Sequence, residues 1–117
     1  MPRATNNPAG KQRRKRILKR AKGFVGAKKV QIREGRHAVD RALAYAYRDR
    51  KARKRDFRQL WITRINAAAR LHGLSYSAFI GGLKKASIDI DRKVLADLAV
   101  HDAQGFAKLA SVARNAR

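Results

Sequence analysis

The sequence predicts an all-α protein: a basic N-terminal extension with a short helix, one long helix, and a small C-terminal helical domain. Three observations carry that expectation. Both prolines, Pro2 and Pro8, lie in the first ten residues, so no later position loses a backbone N–H to a pyrrolidine ring. Residues 36–72 run for 37 positions without glycine or proline. Beyond them, apolar residues recur at helical spacing, and the alternation Ile88-Asp89-Ile90 is too short for a strand. No internal repeat is visible.

Taken in order, Thr5-Asn6-Asn7-Pro8-Ala9-Gly10 reads as extended or turn-like. Residues 11–22 form a short helix, stopped by Gly23 and Gly26. The long helix covers residues 36–72 and would span roughly 55 Å at about 1.5 Å per residue. A chain this small cannot cover such a rod, so part of it must project into solvent or into a partner. Gly73 ends it. Ser75 caps a helix over residues 76–86. Asp91 caps one over residues 92–101, with Ile90 stapled onto Leu95. Asp102 caps the last helix, where Phe106, Leu109, Ala110 and Ala113 make one stripe.

The expected core is Leu60, Trp61, Ile65, Phe79, Ile80, Leu83, Val94, Leu95, Leu98, Phe106 and Leu109. Phe57, Ala68 and Leu71 share the arc of Trp61 on the long helix. Gly81-Gly82 interrupts a helical pattern and reads as a place of close helix or backbone approach, not as a phosphate loop. A domain of this size buries only about 60% of its unfolded surface and is marginal alone.

Charge decides the class of partner. Among 117 residues, 30 Lys and Arg stand against 8 Asp and Glu, a formal net charge of +22. Self-repulsion on that scale calls for a polyanion. Nucleic acid fits best, because each cation placed at a phosphate also releases a condensed counterion. An anionic membrane is the other candidate. The charge is uneven: residues 1–58 carry 21 basic and 4 acidic side chains, net +17, and residues 59–117 carry net +5. Two units follow, a basic N-terminal arm with the projecting part of the long helix (1–58) and a small helical C-terminal domain (59–117).

The arm contains two basic blocks. The first is Lys11, Arg13, Arg14, Lys15, Arg16, Lys19, Arg20 and Lys22, with no acid among them. It has little apolar surface to bury and is expected to order only when phosphates neutralise it. One basic run alone reads equally well as a solvated face or a localisation tag. The second block, Arg48, Arg50, Lys51, Arg53, Lys54, Arg55 and Arg58, places seven cations in eleven residues. On a helical wheel they occupy an arc of roughly 220°. Asp49 and Asp56 fall together in the gap, with Asp49 in reach of Arg53 at i,i+4. A helix cationic over more than half its circumference cannot be buried against protein. A solvated, salt-bridged helix would need comparable numbers of acids. A one-sided DNA reader would gather its charge on one face, whereas charge on several sides suits a rod surrounded by phosphates, as inside folded RNA.

Other side chains leave alternatives open. Tyr45 and Tyr47 stand among alanines, where exposed rings can stack bases; Tyr47 is expected instead to pack on a neighbour. Arg64 falls inside the core arc, so it either snorkels to the rim or reaches RNA. Lys84-Lys85 and Arg92-Lys93 are either ordinary surface charge or a second RNA face.

Enzyme chemistry is missing. His37, His72 and His101 are far apart and have no ligand spacing, and the acids form no paired constellation. There is no cysteine, no phosphate-cradling glycine loop and no G-x-S-x-G motif. No cofactor or metal is expected. No apolar run approaches the ~20 residues of a membrane span. The start lacks the apolar stretch of a secretory signal. Residues 13–20 are too densely charged to show the broad apolar face of a transit peptide.

The segment YAYRDRKARKRDFRQLWITRINAAAR, residues 45–70, strongly resembles the bacterial large-subunit ribosomal protein L20 family. The match continues in YSAFIGGLKKASIDIDRKVLADLA, residues 76–99, with a weaker echo in RRKRILKRAKGFVGAKK, residues 13–29, which adds Lys28 and Lys29 to the candidate RNA contacts. The resemblance implies an all-helical protein whose basic extension threads into large-subunit ribosomal RNA beside neighbouring large-subunit proteins. It implies a role early in subunit assembly, a cytoplasmic ribosome, and, in some bacteria, repression of its own messenger RNA. The front departs from the family: residues 5–10 are less basic, and Val30-Gln31-Ile32-Arg33-Glu34-Gly35 replaces a more basic pattern, with Gly35 expected to break the helix. Composition alone also admits a histone-like DNA-compacting protein, though the low-complexity repeats of that class are absent. A membrane-active cationic helix would need a broad apolar face that residues 11–22 lack.

Overall fold

The computed structural model describes residues 8–116. Among them every regular element is helical: α1 (Pro8–Arg20), a single 3-10 turn (Gly26–Lys29), α2 (Ile32–Leu71), α3 (Tyr76–Lys85), α4 (Arg92–His101) and α5 (Ala103–Asn115). The chain divides into two compact units, Met1–Lys51 and Ala52–Arg117, and α2 contributes residues to both.

In the first unit α1 starts earlier than its charge pattern suggested. Pro8 takes the first helical position, where its fixed φ suits the helix and its missing N–H would have had no partner. Pro8, Ala9 and Gly10 are therefore helical, not extended; Thr5, Asn6 and Asn7 lie outside the described residues. The helix ends at Arg20, and Gly23 and Gly26 follow at φ +89° and +66°. Glycine adopts that left-handed backbone without steric cost, so the expected stop stands.

Gly35 does not break α2. The Gln31 N–H donates to Ala27 O at 2.8 Å and the Gly35 N–H to Gln31 O at 2.8 Å, so the helix begins at Ile32. A Cβ on Gly35 would stand 2.8 Å from Lys28 O and 3.3 Å from Leu18 Cδ2. The glycine is a packing position, where α1 and the 3-10 turn close on α2. A glycine inside a helix costs about 1 kcal/mol relative to alanine, and the close approach offsets that cost. The buried side chains of this unit are few: Ala21 and Val39 are buried, and α1 itself buries none. Across residues 40–60 only Ala46 and Ala52 are half-buried and every other residue is exposed. The uncovered stretch expected of so long a helix is present.

The second unit closes on helix ends whose chemistry is local. Gly73 stands at φ +73°, its N–H donates to Arg70 O at 3.0 Å, and the Leu74 N–H reaches back to Ala69 O at 3.0 Å. That pair of bonds is a Schellman motif, and Leu74 and Ala69 supply its apolar contact within the core. The side chain of Ser75 accepts from Ala78 N at 3.3 Å, Asp91 from Val94 N at 2.8 Å and Asp102 from Gly105 N at 2.8 Å. All three caps fall where the sequence placed them. Ile90, the expected staple, packs on the cluster that contains Leu95.

The core comprises Ile65, Ala69, Leu74, Phe79, Leu83, Leu95, Ala96, Phe106, Ala110 and Ala113, with Trp61, Ile80 and Leu109 packed partly buried against it. The Phe79 and Phe106 rings stack with centroids 5.0 Å apart. Burying one such ring contributes about 1.5–3 kcal/mol. Five expected apolar positions are not core: Phe57, Leu60, Leu71 and Val94 are 48%, 42%, 86% and 46% exposed, and Leu98 is half-buried outside the cluster. The arc drawn on α2 was wider than its neighbours can cover; the covered strip is centred on Ile65 and Ala69. Small residues replace the missing bulk. α5 packs on α3 and α4, and at Gly82 a Cβ would collide with the Ala113 carbonyl. Close approach was the expected meaning of Gly81-Gly82, and Gly82 is the residue that permits it.

Candidate nucleic-acid interface

The cations assigned to RNA stand on three elements. α1 carries Lys11, Arg13, Arg14, Lys15, Arg16, Lys19 and Arg20, and Lys22 follows in the turn. The 3-10 turn carries Lys28 and Lys29. α2 carries Arg48, Arg50 and Lys51 in the first unit and Arg53, Lys54, Arg55, Arg58 and Arg64 in the second. Every one of these side chains is exposed. Helical spacing spreads the α2 block around the helix, as the wheel required.

Little internal charge opposes them. Arg48 Nε donates to Asp49 Oδ1 at 2.7 Å, and this hydrogen bond, with the attraction of the carboxylate, holds the Arg48 guanidinium above its ordinary pKa. Asp49, which the sequence places in reach of Arg53, is at hydrogen-bond distance from adjacent Arg48. Arg36 Nε lies 3.9 Å from Asp40, an exposed i,i+4 pair worth at most a few tenths of a kcal/mol. Arg33, Arg36 and Arg41 extend the exposed cations along the first turns of α2. They stand outside the two dense basic blocks and the Lys28–Lys29 pair from which the sequence drew its candidates.

Two tyrosines of α2 present their rings. Tyr45 and Tyr47 are 50% and 58% exposed. The Arg48 guanidinium lies 4.5 Å from the centre of the Tyr45 ring, and Lys51 Nζ lies 4.6 Å from that of Tyr47. Tyr47 was expected to pack on a neighbour, and the neighbour its ring meets is the Lys51 ammonium group. Such cation–π contacts hold an exposed ring in place for about 0.5–1 kcal/mol.

In the second unit Arg64 lines a shallow groove with Trp61, Lys93 and Asp97. Its head is exposed, as a snorkelling side chain requires and as a phosphate contact also requires. Arg92 differs from the other cations there. It is half-buried, and its Nε donates to the Tyr76 hydroxyl at 2.9 Å, tying α4 to α3. Lys84, Lys85 and Lys93 are exposed. Among the described residues no group of His, Cys, Asp and Glu can hold a metal ion, and no helix is long and apolar enough to cross a membrane.

Comparison with known proteins supplies the family. The family model of ribosomal protein L20 matches residues 3–109. The chain is similar to the large ribosomal subunit protein bL20 of Geobacter metallireducens, with 63% identity over 114 residues and 97% of each chain covered. It is similar to bL20 of Trichlorobacter lovleyi at 60% over the same share of each chain. It is similar to bL20 of Desulfotalea psychrophila at 59% over 116 residues, covering 99% of this chain and 98% of that one. Matches of this identity, spanning both basic blocks and the capped C-terminal helices, show that the chain belongs to the ribosomal protein L20 family.

Proposed function

We propose that the protein is a structural component of the large ribosomal subunit, that it binds large-subunit ribosomal RNA directly through α1, the 3-10 turn and the cationic stretch of α2, and that it supports early assembly of the particle. One observation carries the reading: from Arg48 to Arg58 seven cations and two acids sit on one helix, and every one of them is exposed. Its mechanism is neutralisation. Arginines and lysines on several sides of one helix screen converging phosphates and let RNA helices pack. Each contact also releases counterions, so affinity must fall with salt. Ile65 and Ala69 anchor the C-terminal end of α2 in the core of the second unit. The ribosome in question is cytoplasmic. Neighbouring large-subunit proteins meet the same particle, and an element of the chain's own messenger that mimics the ribosomal site would compete for the same helix.

The test is a salt series. Replacing Arg50, Arg53, Lys54 and Arg55 with Ala should weaken binding to large-subunit RNA and lower the slope of log affinity against log salt by about 3, at ~0.7–0.9 per phosphate contact. An unchanged slope removes those residues from the interface.

A further inference from the structure

We propose that the cleft between the 3-10 turn and the start of α2 holds one unstacked RNA base and that Glu34 reads the N–H donors on its edge; the inference rests on the RNA-binding reading above. The cleft has a volume of about 570 Å3 and is lined in part by Phe24, Lys28, Glu34, His37, Arg41 and Tyr45. Two aromatic rings thus border one opening, Phe24 half-buried and Tyr45 exposed. Any base can stack on such a ring, because every base has a π-face. The Arg48 guanidinium lies over one face of Tyr45, so a base meets the other. Lys28 and Arg41 are exposed and supply positive charge for the phosphates on either side of the base.

Glu34 gives the cleft its selectivity. A carboxylate on a cationic RNA-binding arm repels the phosphate backbone, so it needs a cation, a backbone N–H or a base edge as partner. Asp40 has Arg36 and Asp49 has Arg48, while Asp56, which has no such partner among the described residues, does not line this cleft. Among the described residues the Glu34 side chain has neither an ion pair nor a hydrogen bond. It is the third residue of α2, where a capping glutamate turns back onto the N–H that precedes the helix. That N–H, of Gln31, is already given to Ala27 O at 2.8 Å. Glu34 is left with its two oxygens, acceptors only, beside a pair of rings. Guanine offers two adjacent donors, N1–H and the N2 amino group, and matches a carboxylate best. Unstacked bases in RNA loops and bulges are read in this way, by stacking together with hydrogen bonds to their Watson–Crick edges.

The experiment uses the full chain bound to a large-subunit ribosomal RNA transcript, with base-specific chemical probing and a binding titration. The wild-type protein should shield the Watson–Crick edge of one unpaired guanine. Tyr45→Ala and Glu34→Ala should each re-expose that same base and weaken binding about ten-fold, with the salt slope unchanged. Tyr45→Phe, which keeps the ring, should retain both protection and affinity. Far-UV circular dichroism checks that the helices survive. The proposal is overturned if the alanine variants protect and bind as the wild type does, or if they expose different bases. If the wild-type protein itself fails to bind the RNA, the RNA-binding reading falls and the cleft falls with it.

Discussion

Gly81 and Gly82 are neighbours in α3, yet alanine should act on them with opposite sign. Alanine favours a helix interior over glycine by about 0.8–1 kcal/mol. At Gly81 a Cβ would meet nothing within 4 Å, so the protein should gain most of that amount. At Gly82 the Cβ would overlap the Ala113 carbonyl and stand 2.8 Å from Ala113 Cα, where carbon atoms prefer about 3.5–4.0 Å. α3 and α5 would have to part by roughly 1 Å, and the Phe79–Phe106 stack lies in the same core. Overpacking against backbone stands at the upper end of the usual range of about 1–3 kcal/mol, leaving a net loss of about 2 kcal/mol after the propensity gain. The assay is thermal unfolding of the full chain, followed by the fluorescence of Trp61, the one tryptophan, which packs against the core. In a unit this small 1 kcal/mol moves the midpoint by about 4–8 °C. Gly81→Ala should melt several degrees higher and Gly82→Ala several degrees lower. Equal shifts, or a stabilising Gly82→Ala, would refute the close approach of α3 and α5.

Two further outcomes follow from local geometry. Ser87 closes α3 at φ +57°, with Ser87 N–H on Lys84 O and Ile88 N–H on Leu83 O, both at 3.0 Å. A side chain costs about 1–2 kcal/mol in that left-handed conformation, part of which glycine regains, so Ser87→Gly should raise the unfolding midpoint by a few degrees; a lower midpoint would show that Ser87 makes a contact worth more than the strain. In the free protein, amides of α1 should exchange with solvent far faster than those flanking Ile65 and Phe79, because α1 buries no side chain. Equal protection in a hydrogen-exchange time course would contradict the weakness of the arm's core.

Helix ends were legible because their causes are local. Ser75, Asp91 and Asp102 each bond an N–H three residues on, and Gly73 reverses the chain by its own φ. The cationic blocks were legible too, since charge without opposing charge stays in solvent. What depended on tertiary approach was not. Gly35 is a helix breaker only if nothing packs there, and its reason for being glycine lies in Leu18 and Lys28, which only the folded chain brings against it. Val94 and Leu60 sit at helical spacing like core residues, but spacing does not say which arc a neighbour covers. Alanines fill the gap: Ala69, Ala96, Ala110 and Ala113 are buried because helices that meet at glycine and alanine need no larger side chains. The cleft around Glu34 escaped notice for the same reason. Its walls, Phe24 and Tyr45, are brought together by the 3-10 turn folding onto α2.

The central claim is that the exposed cations serve a ribosomal RNA site and not merely any polyanion. Competition binding tests it most directly: the protein on large-subunit ribosomal RNA, challenged with excess duplex DNA across a salt series. The expected result is an RNA complex that persists at high salt while DNA fails to displace it. Equal displacement by DNA at every salt concentration would contradict the account, leaving charge as the only property the helix contributes.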